Sequence, residues 1–97
     1  DIAANPNESV LATMDGTVFL STYTAETGYV IGVQHSQDFV SIYKHCGSLL
    51  KKEGDRVKGG EAIALGGNSG TLSTGPHLHF ELWYKGHPVN PEKYIVF

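Results

Sequence analysis

In HLHFELWY, residues 77–84, apolar and polar side chains alternate. Side chains along a β-strand point alternately to its two faces, so this period of two predicts a strand from His77 to Tyr84. One face is apolar and is predicted to pack on the core: Leu78, Phe80, Leu82 and Tyr84. The other face carries His77, His79, Glu81 and Trp83. The strand therefore presents two imidazoles side by side, roughly 7 Å apart.

Short alternating runs of the same kind lie upstream, separated by turn residues. Strands are predicted over five further segments: Ser9 to Thr13, Thr17 to Thr22, Tyr29 to His35, Phe39 to Cys46 and Glu61 to Leu65. Asp15-Gly16 is a turn signal, and Ser36-Gln37-Asp38 predicts an antiparallel hairpin between the strands that flank it. Gly47 to Lys58 is predicted to hold one more short strand and a loop. About seven short strands without helical periodicity predict an all-β fold, a small antiparallel sheet folded on itself.

Length and composition narrow the classes of protein. Ninety-seven residues are enough for one domain, predicted to span residues 1–97. The net charge is −3 and no basic stripe is present, which argues against nucleic acid as a partner. No apolar run approaches the roughly 20 residues of a membrane helix, so no membrane span is predicted in this chain. The single cysteine, Cys46, excludes a disulfide within the chain.

Alternation from Phe39 to Cys46 predicts where a third histidine points. Val40, Ile42 and Cys46 are assigned to the core face, with Lys44 as the exception. Phe39, Ser41, Tyr43 and His45 are assigned to the opposite face. Cys46 is thus predicted to be a small buried hydrophobe. His35 and His87 sit beside turns and are predicted to be solvated. A lone histidine is most simply a surface residue, but a His-x-His pair on a strand raises the weight of a metal or catalytic role.

Several motifs together carry a resemblance to a known family. Thr74-Gly75-Pro76-His77-Leu78-His79-Phe80-Glu81 resembles the signature of the lysostaphin-type (LytM-like) metalloendopeptidases. Tyr43-Lys44-His45 resembles the family's Tyr-x-His element, with Cys46 where Leu is usual. Agreement at the Gly54-Asp55 hairpin, at Gly67 to Gly70, at Val89 to Pro91 and at the chain start extends the resemblance over nearly the whole sequence. Asp1 falls on the Asp of the family's His-x-x-x-Asp motif, whose His would precede the sequence.

The resemblance implies a fold and a metal site. The fold is of the duplicated-hybrid-motif, barrel-sandwich-like kind. A tetrahedral zinc would be held by the upstream His, Asp1 and His79, with water in the fourth position. His45 and His77 would be the catalytic residues, one taking a proton and the other stabilising the oxyanion. Spacing alone would let both His77 and His79 bind metal, so the assignment of His79 alone comes from the resemblance. Tyr43 is expected to be a substrate-binding groove wall or an oxyanion donor.

The resemblance also implies a substrate and a location. The substrate is peptidoglycan, cleaved in its peptide stems or cross-bridges, which places the enzyme outside the cytoplasmic membrane. The expected groove walls are Tyr23 to Gly28, Gln34 to Asp38 and Gly66 to Pro76. Glu81 could accept a hydrogen bond from a ligand imidazole. Capping of a solvated strand end is the commoner role, so Glu81 is left out of the predicted site.

Two other functions stay open. One is a non-catalytic LytM-like module that binds and activates a separate cell-wall amidase; the four residues that precede Asp1 discriminate, because a His there supports the enzyme. The other is a carrier domain, since Gly54-Asp55-x-Val57 also resembles biotinyl and lipoyl carriers, but no Lys lies at a hairpin tip in the required context. Without the upstream His, these 97 residues by themselves are expected to bind zinc weakly and to be impaired as an enzyme.

Overall fold

Strands make up all the regular structure in the computed structural model, which describes residues 2–3, 8–66 and 77–90, with backbone alone at 2–3 and 77. They are β1 (Ile2–Ala3), β2 (Ser9–Leu11), β3 (Gly16–Thr24), β4 (Gly28–Gln34), β5 (Phe39–Leu49), β6 (Arg56–Val57), β7 (Ala62–Gly66), β8 (His77–Tyr84) and β9 (His87–Val89). Within the described residues there is no helix, so the predicted all-β class is confirmed.

The strands form one curled antiparallel sheet, a half-barrel. Its main path runs β1-β8-β5-β4-β3-β6, with β9 beside β8. β7 pairs with the end of β5 and also with β2, which folds the sheet back on itself. β5 therefore lies at the centre of the sheet, between β4 and β8, and its side chains lie beside those of both neighbours.

The predicted strands are confirmed with small shifts at their ends. β8 has the predicted bounds, and Leu78 and Leu82 are buried on its apolar face. The β4–β5 hairpin is also confirmed, with Gln37 and Asp38 both at positive φ in its turn. β1 and β9, two and three residues long, were not predicted because so few residues show no period. The predicted loop up to Pro76 and the tail after Asn90 lie outside the described residues.

The core lies on one face of the sheet, between the long strands and the β2–β7 pair. Its members are buried apolar side chains from seven of the nine strands and one loop residue: Val10, Ala12, Val18, Ile31, Val33, Tyr43, Cys46, Val57, Ile63, Ala64 and Leu78. Cys46 is completely buried, as predicted. The opposite face of the long strands points away from the core, on the side where His45 and His79 lie.

Gly16 shows why the Asp15-Gly16 turn has glycine at its second position. A Cβ there would lie 2.4 Å from the carbonyl oxygen of Gln34 and 2.9 Å from Nδ1 of His35. Since β3 starts here, between β4 and β6, any side chain would push the three strands apart. The glycine is required for close approach of the strands.

The predicted faces of β5 were wrong for residues 40–43. Ser41 and Tyr43 are buried, whereas Val40 and Ile42 are only half-buried. Register explains the difference, because Ser41 lies opposite Val33 and Tyr43 lies opposite Ile31 on the core face of β4. Apolar residues occur on both faces of β5, so hydrophobicity alone selected the wrong one.

His35 was also predicted wrongly. It is 5% exposed and bridges two elements, with Nδ1 2.8 Å from the Asp15 carbonyl and Nε2 2.7 Å from Oγ of Ser41. A carbonyl only accepts, so Nδ1–H donates to Asp15 and the Ser41 hydroxyl donates to Nε2. Burial of a hydroxyl without a hydrogen-bond partner costs free energy, and His35 offsets this cost for Ser41. His87 is exposed, as predicted.

Candidate metal and catalytic site

A β-bulge in β5 determines the direction of His45. Along β4, Tyr29 and Ile31 are two residues apart, but their partners Cys46 and Tyr43 are three apart, so β5 carries one extra residue. His45 takes up the extra length with a left-handed φ of 63°. Its backbone N–H donates to the carbonyl of Thr27 at 2.8 Å. Such a bulge re-aims the side chains on either side of it.

The bulge brings His45 to His79. Their ring centroids are 6.4 Å apart and nearly perpendicular, with an interplanar angle of 79°. His79 lies on the β8 face opposite the core, directly across from Lys44. His45 is largely buried, with 9% exposure, while the side chain of His79 is 34% exposed. The structure therefore brings together two of the histidines that the sequence predicted to face away from the core.

Glu81 links three side chains on this face. Its Oε2 is 2.7 Å from Nε2 of His79 and 3.0 Å from Nζ of Lys44. Its Oε1 accepts a hydrogen bond from Nε1 of Trp83 at 3.0 Å. Sequence reasoning left Glu81 out of the site, and alternation alone could not show that Lys44 of a different strand reaches it.

The carboxylate of Glu81 is held in its ionised form. Burial would raise its pKa, but hydrogen bonds from Trp83, His79 and Lys44, together with the Lys44 charge, outweigh burial and lower the pKa from 4.5 to about 2. An ionised carboxylate is an acceptor only, so each of its three neighbours must donate to it.

The other predicted site residues are described only in part. Asp1 lies outside the described residues, and His77 is described by its backbone alone. β1, the strand that follows Asp1, pairs with the beginning of β8, with Ile2 opposite Leu78 and Ala3 opposite His77. The chain just after Asp1 therefore runs beside the His-x-His segment.

The position of Tyr43 differs from the one predicted, because its side chain lies in the core. It is 1% exposed, packs on Phe80 with ring centroids 5.2 Å apart, and its hydroxyl contacts the backbone N–H and Oγ1 of Thr13. Since Tyr43 precedes the bulge, it stays on the core face while His45 is turned away from it. Tyr43 is a core residue, and its burial gives no support to the predicted role as a groove wall or an oxyanion donor.

The outer face of the long strands forms an open depression of about 500 Å³ next to Glu81 and Lys44. Its floor is apolar, with Val30, Ile42 and Trp83 among the lining side chains. Thr24 and Thr27, from the predicted wall at Tyr23 to Gly28, border it. The predicted wall at Gln34 to Asp38 instead borders a different depression, beside Arg56 and Lys58. Most of the third predicted wall, Gly66 to Pro76, lies outside the described residues.

The described residues fit part of a zinc site. His79 is an imidazole whose second nitrogen is held by a carboxylate, which is typical of zinc-bound histidine. In residues 8–66 and 78–90, no group of three or more His, Cys, Asp or Glu side chains could hold a metal ion. The donors that would complete the site therefore have to come from other parts of the protein.

Comparison with known proteins identifies the family. The model of peptidase family M23 matches residues 1–91. The murein hydrolase activator NlpD of Escherichia coli K12 is 40% identical over 96 residues, which are 98% of this chain and 25% of that protein. The peptidoglycan DD-endopeptidase ShyA of Vibrio cholerae is 37% identical over 93 residues, 96% of this chain and 21% of that protein. The solved catalytic domain of the antimicrobial peptidase lysostaphin from Staphylococcus simulans superimposes with a TM-score of 0.85 at 26% identity, covering 95% of this chain and 73% of that one.

The half-barrel of antiparallel strands and the family match together define the class of the chain, a LytM-like domain. The chain belongs to peptidase family M23, as its motifs predicted. Peptidases of this family are zinc metallopeptidases. The chain spans about a quarter of the length of the curated relatives it matches first. Across the described residues, no helix is long and apolar enough to cross a membrane.

Proposed function

We propose that the protein is a zinc-dependent endopeptidase that hydrolyses peptide bonds in peptidoglycan stems or cross-bridges, and that residues 1–97 are its catalytic domain. The observation that carries the proposal is the convergence of His45 and His79, which are 34 residues apart in the chain, at a ring-centroid distance of 6.4 Å. A fold alone would not require two histidines to meet. Their meeting depends on a bulge that places His45 at a costly positive φ.

The roles follow from chemistry and from the family. Asp1 and His79, with a histidine upstream of Asp1, would hold the zinc. When bound, zinc lowers the pKa of a coordinated water to about 7 and so provides hydroxide at neutral pH. His45 and His77 would flank the scissile carbonyl, one accepting a proton and the other donating a hydrogen bond to the oxyanion.

The surroundings of His45 support its role in proton transfer. Low exposure removes it from competing water, while the open depression beside Lys44 and Glu81 gives an extended peptide access to the same face. The named activities of the relatives concern murein and peptidoglycan. That supports the substrate class and a location outside the cytoplasmic membrane, where this polymer lies.

A second candidate is a non-catalytic module that activates a separate cell-wall amidase. The observation in its favour is that NlpD, named a murein hydrolase activator, is 40% identical over 96 residues. The histidines of this chain favour the enzyme, because a module that only binds a partner has no need of a His-x-His pair or of His45 in a bulge.

The test uses the chain extended by its natural upstream residues, incubated with purified peptidoglycan with and without a chelator. We expect chelator-sensitive release of soluble peptides carrying new amino groups. Replacing His45 with Ala should lower the rate at least 100-fold, whereas His87→Ala, at an exposed histidine, should leave it unchanged. Tight zinc binding without turnover, together with stimulation of an added amidase, would establish the activator instead.

A further inference from the structure

We infer that Glu81 is a positioning residue for His79: its carboxylate holds the ring so that Nδ1, not Nε2, is the nitrogen presented to the metal. This inference rests on the proposed function only in taking His79 as a zinc ligand. It adds to the site a residue that the sequence prediction left out, and it names the ring nitrogen of His79 that the metal would take.

A hydrogen bond joins the side chains of His79 and Glu81. Nε2 of His79 lies 2.7 Å from Oε2 of Glu81. A carboxylate can only accept, so the proton of a neutral His79 ring must sit on Nε2. Metal binding needs a deprotonated ring nitrogen, which in that tautomer is Nδ1. The contact therefore selects both the tautomer and the coordinating atom.

The carboxylate of Glu81 is itself restrained by hydrogen bonds. Lys44 donates to the same Oε2 at 3.0 Å, and Trp83 donates to Oε1 at 3.0 Å, so both carboxylate oxygens are engaged. Lys44 comes from β5, at the position opposite His79, and Trp83 comes from β8 itself. With donors on two sides, the carboxylate has little freedom to swing away from His79. A fixed acceptor is what makes an imidazole orientation reproducible.

A simpler role for Glu81, an ion pair with Lys44 alone, does not account for its contacts. An ion pair with Lys44 alone would explain one contact and would be worth little at a half-exposed position. Glu61 makes such a pair, with Nζ of Lys51 at 2.7 Å, and its other carboxylate oxygen accepts a hydrogen bond from the backbone N–H of Lys58 at 3.0 Å. Glu81 differs because the same oxygen that takes the lysine also takes the imidazole.

The experiment compares Glu81→Gln with Glu61→Gln as a matched control, in the chain extended by its natural upstream residues. Long-range nitrogen NMR on the metal-free proteins should show His79 with its proton on Nε2 in the wild type and in Glu61→Gln. In Glu81→Gln it should show a mixture of both tautomers, because an amide no longer demands a donor. Zinc affinity, from competition with a chromogenic chelator, should fall about 10- to 100-fold in Glu81→Gln and stay within twofold in Glu61→Gln.

Separate measurements test whether each variant is still folded. Glu81→Gln leaves Lys44 without its charge partner, so the double variant Lys44→Met/Glu81→Gln is measured beside it, with thermal unfolding of each. The tautomer mixture and the weakened zinc binding should persist in the double variant. A His79 proton that stays on Nε2, or zinc affinity within twofold of the wild type in a folded Glu81 variant, would overturn the inference.

The two proposals fail in different ways. If the wild type binds zinc and Glu81→Gln weakens it, yet no peptidoglycan is cleaved, only the proposed function fails. If peptidoglycan is cleaved and Glu81→Gln changes neither the tautomer nor the zinc affinity, only the positioning role fails. A wild type that binds no zinc would contradict both.

Discussion

His45 and Cys46 are neighbours in the chain, yet one ring approaches His79 and the other side chain lies wholly in the core. Regular alternation already separates adjacent residues, but it would have sent His45 to the face of Tyr43. The positive φ at His45 reverses that assignment. At the scale of single residues, the candidate site therefore depends on one backbone angle.

Cys46 provides a prediction at the same scale. Burial raises the pKa of its thiol from 9.0 to about 12, although a hydrogen bond from the backbone N–H of Cys46 itself acts in the opposite direction. Very little of the thiol is then ionised near neutral pH, and the thiolate is the reactive form. We expect a disulfide reagent such as Ellman's reagent to label the native protein orders of magnitude more slowly than the guanidine-unfolded chain. Labelling of the native protein at the unfolded rate would contradict this burial.

The same shift has a consequence for stability at high pH. The unfolded thiol loses its proton near pH 9.0, while the folded one keeps it until about pH 12. Between these values the unfolded state binds fewer protons than the folded state, so the contribution of Cys46 to stability falls as pH rises through that window.

At the scale of elements, β5 is the strand that joins the core to the site. Its middle packs Ser41 and Tyr43 inward, and its bulge turns His45 outward toward β8. The pairing with β4 fixes the bulge. The carbonyl of Thr27, just before β4, accepts a hydrogen bond from the N–H of His45, and Tyr29 of β4 pairs with Cys46. β4, the hairpin partner of β5, thus determines the direction of the His45 side chain, whose ring approaches His79 on β8.

The bulge gives a prediction at this scale. Asn tolerates a left-handed φ, whereas a β-branched residue there is strained. We expect His45→Val to be less stable than His45→Asn by about 1–2 kcal/mol in urea unfolding, although the two side chains are similar in size. Both variants should lose peptidoglycan hydrolysis equally, since both lack the imidazole. Equal stability of the two would mean that residue 45 does not hold this conformation.

At the scale of the whole molecule, one small core supports both the half-barrel and the site. A domain of this size has a free energy of unfolding of only about 5–15 kcal/mol, so a single deep cavity consumes much of it. Ile63 on β7 is completely buried between the β2–β7 pair and the long strands. Leu50 has the same number of side-chain carbons but is 49% exposed.

These two residues make a matched pair for measurement. Ile63→Ala should cost about 2–5 kcal/mol of unfolding free energy and lower the melting temperature by roughly 4–8 °C per kcal/mol. Leu50→Ala should cost less than about 1 kcal/mol, because little apolar surface returns to water. Similar losses for both variants would show that the β2–β7 pair does not close over a single core.

Local sequence determined much of this protein. The period of two over residues 77–84 predicted β8 and both of its faces, and the turn residues Ser36 to Asp38 predicted the β4–β5 hairpin. The histidine motifs predicted the family and the residues proposed for the site. These features depend on neighbours within a few residues, and alternation and turn chemistry act over that range.

Tertiary structure alone decided the rest. The core position of Tyr43, the burial of His35 against Ser41, and the contact of Lys44 with Glu81 all depend on partners in other strands. The outward turn of His45 depends on register with β4, which shifts by one residue at the bulge. Since a one-residue shift exchanges the two faces of a strand, no local pattern in β5 could show which face each side chain takes.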